Sequence, residues 1–265
     1  MATYVMSDIH GCYDKMMEML QKIEFSPSDK LIIAGDYVDR GLQIYETLNW
    51  IMNPPENVVL LRGNHDEEFA YCVDLIGQMF DRNDLSPESA EDTKLVYELL
   101  RALSGANKDN VFFFDYYGTF RDLIYKYDVT MIQLDEWADK IREMPLLYRE
   151  TIGERDCIVV HAGYVESLEG LEFEGHYDSI EDFYTFARDD AYVYGGIPHG
   201  MIVAGHTPTI WEDGIPYNDG DVYRAYDEEM DCIFYDVDCG LVYKREGNNA
   251  KLACLRLEDE VIFYV

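Results

Sequence analysis

The chain has 265 residues, room for one or two domains and a sizeable buried core. Lys and Arg total 21 against 53 Asp and Glu, a formal charge of −32, which argues against nucleic acid or an anionic membrane surface as a partner, since both demand clustered basic side chains. With 48% hydrophobic and 14% aromatic residues, the sequence is still too apolar for a charge-expanded disordered chain, and a folded globule with an acidic surface is expected.

Near the start, three short apolar runs each end in a polar cluster. They are Tyr4-Val5-Met6 before Ser7-Asp8-Ile9-His10-Gly11, Leu31-Ile32-Ile33-Ala34 before Gly35-Asp36, and Val58-Val59-Leu60-Leu61 before Arg62-Gly63-Asn64-His65-Asp66. Each reads as a buried strand. Between them, Tyr13/Met16/Met17/Leu20/Ile23 and Tyr45/Leu48/Ile51/Met52 recur at the spacing of amphipathic helices. The step from Asp8 to Asp36 equals that from Asp36 to Asn64, at 28 residues, close to the roughly 30 of a βαβ unit. Parallel strands are therefore expected, with their carboxyl ends along one sheet edge, where open α/β sheets bind ligands.

A long excursion follows. Helices are predicted from His65 through Phe69, Cys72, Val73 and Ile76, from Ser86-Pro87 (Pro at the first helical position) to Gly105, and over about 134–144. No Pro/Ser/Gly linker flanks this stretch, so approximately 67–146 reads as a helical cap inserted into a single domain, 1–265. The strand pattern resumes at 157–160 before His161-Ala162-Gly163, and at 201–204 before Gly205-His206. Runs at 232–237, 251–257 and 261–265 are separated by short turns and are expected to pair antiparallel.

The six cysteines form no C-x-x-C pair and read as reduced thiols. There is no basic-then-apolar leader, and no stretch approaches the roughly 18 apolar residues of a membrane span, so a soluble cytoplasmic protein is expected.

Asp8, His10, Asp36, Asn64, His161 and His206 each sit one to four residues past an apolar run, and the sheet would converge them. Carboxylate, imidazole and amide donors without thiolate suit Mn, Fe or Zn better than copper or an iron–sulfur cluster. Six ligands exceed one tetrahedral site. Two ions sharing Asp36 would use them all: Asp8, His10 and Asp36 for one, and Asp36, Asn64, His161 and His206 for the other.

Ser7-Asp8-Ile9-His10-Gly11, Gly35-Asp36-Tyr37-Val38-Asp39-Arg40-Gly41, Gly63-Asn64-His65-Asp66, His161-Ala162-Gly163 and Gly205-His206 resemble the five signature blocks of the calcineurin-like metallophosphoesterase superfamily. The second block has the form seen in the phosphoprotein phosphatase (serine/threonine phosphatase) branch, small bacterial type. The blocks keep that family's order over residues 7–206. The resemblance implies an α/β (α+β) fold, a β-sandwich flanked by helices, with the ligand set above holding two divalent ions, Mn²⁺ first and Fe or Zn as alternatives. It also implies hydrolysis of a phosphomonoester by a metal-bridging water. Carried over by block, Arg40 binds the substrate phosphate beside Asn64, and His65 is the proton donor paired with Asp39. The run from Phe183 to Asp190 resembles an aromatic-rich segment ending in Arg-acid in small bacterial members, which nominates Arg188 as the second phosphate clamp. Asp238-Cys239-Gly240 resembles their C-terminal Asp-Thr-Gly.

Two departures matter. Ser7 stands where Gly is usual, and Asp66 where protein phosphatases usually have Glu. The Gly-Asn-His-Asp form also occurs in the related bis(5′-nucleosyl)-tetraphosphatases. The leading expectation is a serine/threonine protein phosphatase-like hydrolase acting on a phosphorylated peptide or small phosphoester. The alternatives are a symmetrical bis(5′-nucleosyl)-tetraphosphatase and, from another class, a catalytically silent phospho-ligand-binding module. His176 and His199 match no block and read as ordinary surface or packing residues, Cys12 and the Met16/Met17/Met19 cluster as packing, and Asp227-Glu228-Glu229 as solvated surface.

Overall fold

In the first strand, β1 (Thr3–Met6), Val5 enters one core while Tyr4 and Met6 enter another. The next strand, β2 (Lys30–Ile33), divides Ile32 from Leu31 and Ile33 in the same way. Side chains alternate across a sheet, so an unbroken apolar run marks a strand covered on both faces. Each such Ile or Val contributes about 1.5–3 kcal/mol by leaving water. The computed structural model describes residues 1–106 and 114–265.

After β1 come α1 (Tyr13–Lys22), β2, α2 (Ile44–Met52), β3 (Val58–Leu60) and α3 (Asn64–Asn83). Then follow α4 (Ala90–Ala106), α5 (Thr119–Tyr127) and α6 (Met131–Arg142). The remainder is β4 (Leu147–Ile152), β5 (Arg155–Val160), α7 (Ile180–Phe186), α8 (Asp189–Tyr194), β6 (Gly200–Ala204), β7 (Tyr223–Asp227), β8 (Cys232–Asp236), β9 (Ala253–Arg256) and β10 (Val261–Tyr264).

Two five-stranded mixed sheets result, ordered β10-β9-β1-β2-β3 and β4-β5-β6-β8-β7. Val5, Ile32 and Leu255 from the first meet Val159, Val203 and Tyr235 from the second in the central layer. The outer face of the first sheet packs on α1–α6 through Met16, Leu48, Phe69 and Trp137, and that of the second on α7 and α8 through Phe183 and Ala191. This is the expected sandwich of sheets flanked by helices.

The pairings β1–β2 and β2–β3 are parallel, as the 28-residue spacing predicts. Strands β5, β6 and β8 are also mutually parallel. Two expectations need correction. The run at 232–237 does not pair with 251–257: β8 lies in the second sheet, parallel to β6 and antiparallel to β7, while β9 pairs antiparallel with β1 and β10. A turn-rich spacer sets how chains can reverse, but the partner is chosen by which face must be buried. The helix expected from Pro87 starts at Ala90, and the Ser89 hydroxyl caps it by accepting the Asp92 N–H at 3.1 Å. Five further elements, α5, α7, α8, β4 and β7, are present beyond those predicted from sequence. In β7 and β4 the exposed positions carry polar side chains, so neither has the apolar run that marked the others.

Candidate metal centre

The carboxyl ends of β1, β2, β5 and β6 deliver Asp8, Asp36, His161 and His206 to one place, and the start of α3 adds Asn64 and His65. Backbone bonds knit these turns together within each sheet. Gly205 N–H donates to His161 O at 2.8 Å, His10 N–H to Asp36 O at 2.8 Å and Asp8 N–H to Gly35 O at 3.1 Å. Tight turning has a conformational cost. Asp8, His10, Asp36, Asp39, Arg40 and His206 all hold φ between +43° and +71°. Left-handed backbone costs a non-glycine residue up to about 1–3 kcal/mol, so the rest of the fold must hold these turns in place. Ser7 is not in that region, and its side chain is accommodated because Gly205 is opposite, where a Cβ would lie 2.2 Å from Ser7 Oγ and 2.3 Å from Asp8 Oδ2.

Asp36 is the centre of the constellation. One carboxylate oxygen lies 3.5 Å from His10 Nε2 and the other 3.5 Å from His161 Nε2. His161 Nε2 is also 3.1 Å from Asn64 Oδ1, and Asp8 Oδ1 is 3.9 Å from His10 Nε2. The Asp8 Oδ2 atom accepts the His206 N–H at 3.0 Å. Donor atoms of His10, Asp36 and His65, and of Asp36, His161 and His206, lie within 4.8 Å of one another.

Three observations show that these residues fit divalent ions. First, Nδ1 of His10 donates to Val38 O, and Nδ1 of His161 to Ala34 O, each at 2.7 Å. A carbonyl can only accept, so both rings carry Nδ1–H and turn Nε2 toward Asp36, the orientation that metal-ligating imidazoles adopt. Second, Nε2 of His206 is buried and has no hydrogen-bond partner among the described residues. Third, burial, with repulsion from Asp8 and Asp66, drives the Asp36 carboxyl well above its usual range despite His65 and Arg40 nearby. Burial and the neighbouring cations push His10 and His206 well below theirs. Crowded buried carboxylates beside neutral imidazoles call for a cation.

His65 begins α3, and its Nδ1 is 2.6 Å from Asp39 Oδ2. Burial alone would lower its pKa, but Asp36 and the bond to Asp39 outweigh that and raise it above 6.5. The Arg40 guanidinium donates to Nε2 of both His10 and His65, the latter at 2.7 Å. An ion at His10 Nε2 competes with Arg40 for the same lone pair. Arg188 is held beside the cluster by His206 O and Thr207 Oγ1, each at 3.4 Å. All ten residues nominated from sequence thus surround one site. His176 and His199 are exposed and paired with Asp178 and Asp231. Burial raises the Cys12 thiol to about 11, and Met16 and Met19 are core residues while Met17 is partly exposed.

Several further side chains organise the site. Fully buried Asp66 accepts three backbone N–H groups, from Asp36 (2.8 Å), Tyr37 (2.9 Å) and Gly63 (2.9 Å), and so ties the second and third blocks together. Burial raises its carboxyl to about 6 against the pull of those donors. Thr119 donates its hydroxyl to the other oxygen of Asp39. Aromatic rings cover both arginines: Tyr117 and Tyr243 lie 5.2 and 5.6 Å from Arg40, and Trp211 5.3 Å from Arg188. Tyr243, five residues past Asp238, could have been found from that block, whereas nothing local flags Thr119.

The profile of the calcineurin-like phosphoesterase family matches residues 1–235. A symmetrical bis(5′-nucleosyl)-tetraphosphatase of Salmonella arizonae is 43% identical over 67 residues, 25% of this chain and 24% of that protein. One from Vibrio campbellii is 37% identical over 106 residues, 39% of this chain and 38% of its own. The chain thus matches about a quarter to two fifths of the length of these curated relatives. A crystal structure provisionally assigned to a diadenosine tetraphosphatase superposes with a TM-score of 0.52 at 14% identity, covering 100% of this chain and 92% of that one, a likeness of fold. With sheets, blocks and profile in agreement, the chain belongs to the calcineurin-like phosphoesterases.

Proposed function

We propose that the protein hydrolyses nucleoside-terminated polyphosphates, with a symmetrical bis(5′-nucleosyl)-tetraphosphate as its substrate type. The observation that carries this reading is the aromatic cover over Arg40 and Arg188, because a phosphate site walled by Tyr117, Tyr243 and Trp211 offers ring faces that a phosphopeptide does not require. The names of the partial relatives support it.

Asp8, His10 and Asp36 would hold one divalent ion, and Asp36, Asn64, His161 and His206 the second. When bound, such a pair polarises phosphoryl oxygens and lowers the pKa of water. Arg40 and Arg188 present planar forks matched to phosphoryl oxygens. In the reaction a water oxygen bonds to phosphorus, the P–O bond to the central bridging oxygen breaks, and its electron pair leaves on the departing nucleoside diphosphate. Both products are nucleoside diphosphates. Asp39 orients His65, which donates a hydrogen bond or proton to the leaving oxygen.

A second reading, a serine/threonine phosphatase-like monoesterase, is favoured by the 2.6 Å His65–Asp39 pair, since a strongly basic alkoxide gains most from a proton donor. Turnover of diadenosine tetraphosphate and a phosphoserine peptide panel, compared side by side with Mn²⁺, separates the two. The first reading expects the dinucleotide to be preferred and ADP to be the nucleotide product. Preference for the peptides would replace it with the second.

A further inference from the structure

Behind the aromatic cover lies a cleft of about 610 Å³ whose lining includes Trp211, Tyr217, Tyr243, Lys244 and Arg245. Trp211 and Tyr243 have ring centroids 5.8 Å apart. Each also covers an arginine of the phosphate site, Tyr243 over Arg40 and Trp211 over Arg188. One layer of rings therefore joins the cleft to the phosphate-binding groups. Trp211 and Tyr217 are 38% and 46% exposed, so part of each ring is within reach of a ligand.

Charge points the same way. Elsewhere basic side chains are largely taken up by acids, as in Lys30–Glu150, Arg142–Asp74, Arg155–Asp231 and Arg256–Asp259. Lys244 and Arg245 are exposed, and among the described residues neither forms an ion pair. On a chain of net charge −32, two adjacent cations that share a cleft with the rings covering the two arginines mark the place where a polyanion is tolerated. Glu212 and Asp219 line the same cleft. Their carboxylates repel bare polyphosphate but accept hydrogen bonds from ribose hydroxyls or an exocyclic amine.

We infer that this cleft binds the nucleoside end of the substrate beyond the scissile phosphate, with the base against Trp211 and Tyr243 and the adjoining phosphates on Lys244 and Arg245. The inference rests on the dinucleoside polyphosphate reading above. It makes the ligand a nucleoside polyphosphate rather than a phosphate ester of any alcohol.

The test uses the Mn²⁺-loaded full chain and two substrates, diadenosine tetraphosphate and p-nitrophenyl phosphate, which lacks nucleoside and additional phosphates. Trp211→Ala, and Lys244→Ala combined with Arg245→Ala, should each lower the ratio of kcat/KM for the dinucleotide over the aryl phosphate by roughly tenfold, the scale of one base stacked on one ring. Trp211→Phe, which keeps a ring face, should recover most of the ratio. ADP should quench the tryptophan fluorescence of the parent protein and lose that effect in Trp211→Phe, where Trp50 and Trp137 remain. An unchanged ratio in both the Ala and the double variant, with the parent still cleaving the dinucleotide, overturns the cleft and leaves the proposed function standing. A parent that ignores the dinucleotide and cleaves phosphopeptides overturns both.

Discussion

Thr119 donates its hydroxyl to Asp39 across 80 residues of sequence, from the first turn of α5 to the turn after β2. The remaining Asp39 oxygen is the one that meets His65 Nδ1, so both oxygens are engaged and the imidazole is aimed by a helix of the segment between β3 and β4. Asp115 holds the start of α5, accepting from the N–H groups of Phe120 (2.9 Å) and Arg121 (3.0 Å). Thr119→Val should therefore act on the proton donor. We expect roughly a tenfold fall in kcat on a phosphoserine peptide, the scale of one charge-assisted hydrogen bond, and recovery in Thr119→Ser. Loss of stability with no change in kcat would make Thr119 a packing residue only.

His65→Ala should hurt in proportion to the basicity of the leaving group. With a phosphoserine peptide, a loss of about a hundred- to ten-thousandfold is expected, the range of general-acid catalysis. With diadenosine tetraphosphate or p-nitrophenyl phosphate, whose leaving oxygens are already stable near neutral pH, the loss should be much smaller. Equal losses on all three, at constant metal content, would reassign His65 to phosphate binding.

Chelation should abolish activity, and elemental analysis of the reloaded protein should find two divalent ions per chain, with Mn²⁺ restoring turnover best. Asp36→Asn should reduce the metal content as well as the rate, because this carboxylate stands between the His10 and His161 donors. Two ions retained at full affinity in Asp36→Asn would remove Asp36 from its bridging position.

Arg40→Ala and Arg188→Ala should weaken inhibition by inorganic phosphate, each by about 1.5–3 kcal/mol, or roughly one to two powers of ten. Metal content should hold in both. Arg40→Ala frees the His10 lone pair and is the variant in which metal affinity can rise. Normal phosphate inhibition in Arg188→Ala would place the second clamp elsewhere.

Asp66→Ala should be among the most destabilising substitutions near the site. It leaves three buried N–H groups without an acceptor, each worth about 1–3 kcal/mol when unpaired. Calorimetric melting should show the loss, and metal stoichiometry should fall with it, because the Asp36 turn loses its anchor. An unaltered melting temperature would mean that water replaces the carboxylate there.

The apolar strands, their parallel order at the start of the chain and the polar residues that follow them at the sheet edges were legible because each rests on local pattern. Two-faced burial writes itself as an unbroken apolar run, and a turn at a strand end must carry small or polar residues. The pairing of β8 with β6 and β7, the bond from Thr119 to Asp39 and the placing of Tyr117 over Arg40 and Trp211 over Arg188 had no such local sign. They depend on which surfaces meet once the two sheets close on a shared core, and residues 80 apart in sequence become neighbours only through that packing. The sequence by itself thus determined the chemistry that gathers at the sheet edges. Tertiary structure alone decided how Asp39 is held and what stands around the phosphate site, because those contacts arise from elements whose own residues carry no periodic or motif signal.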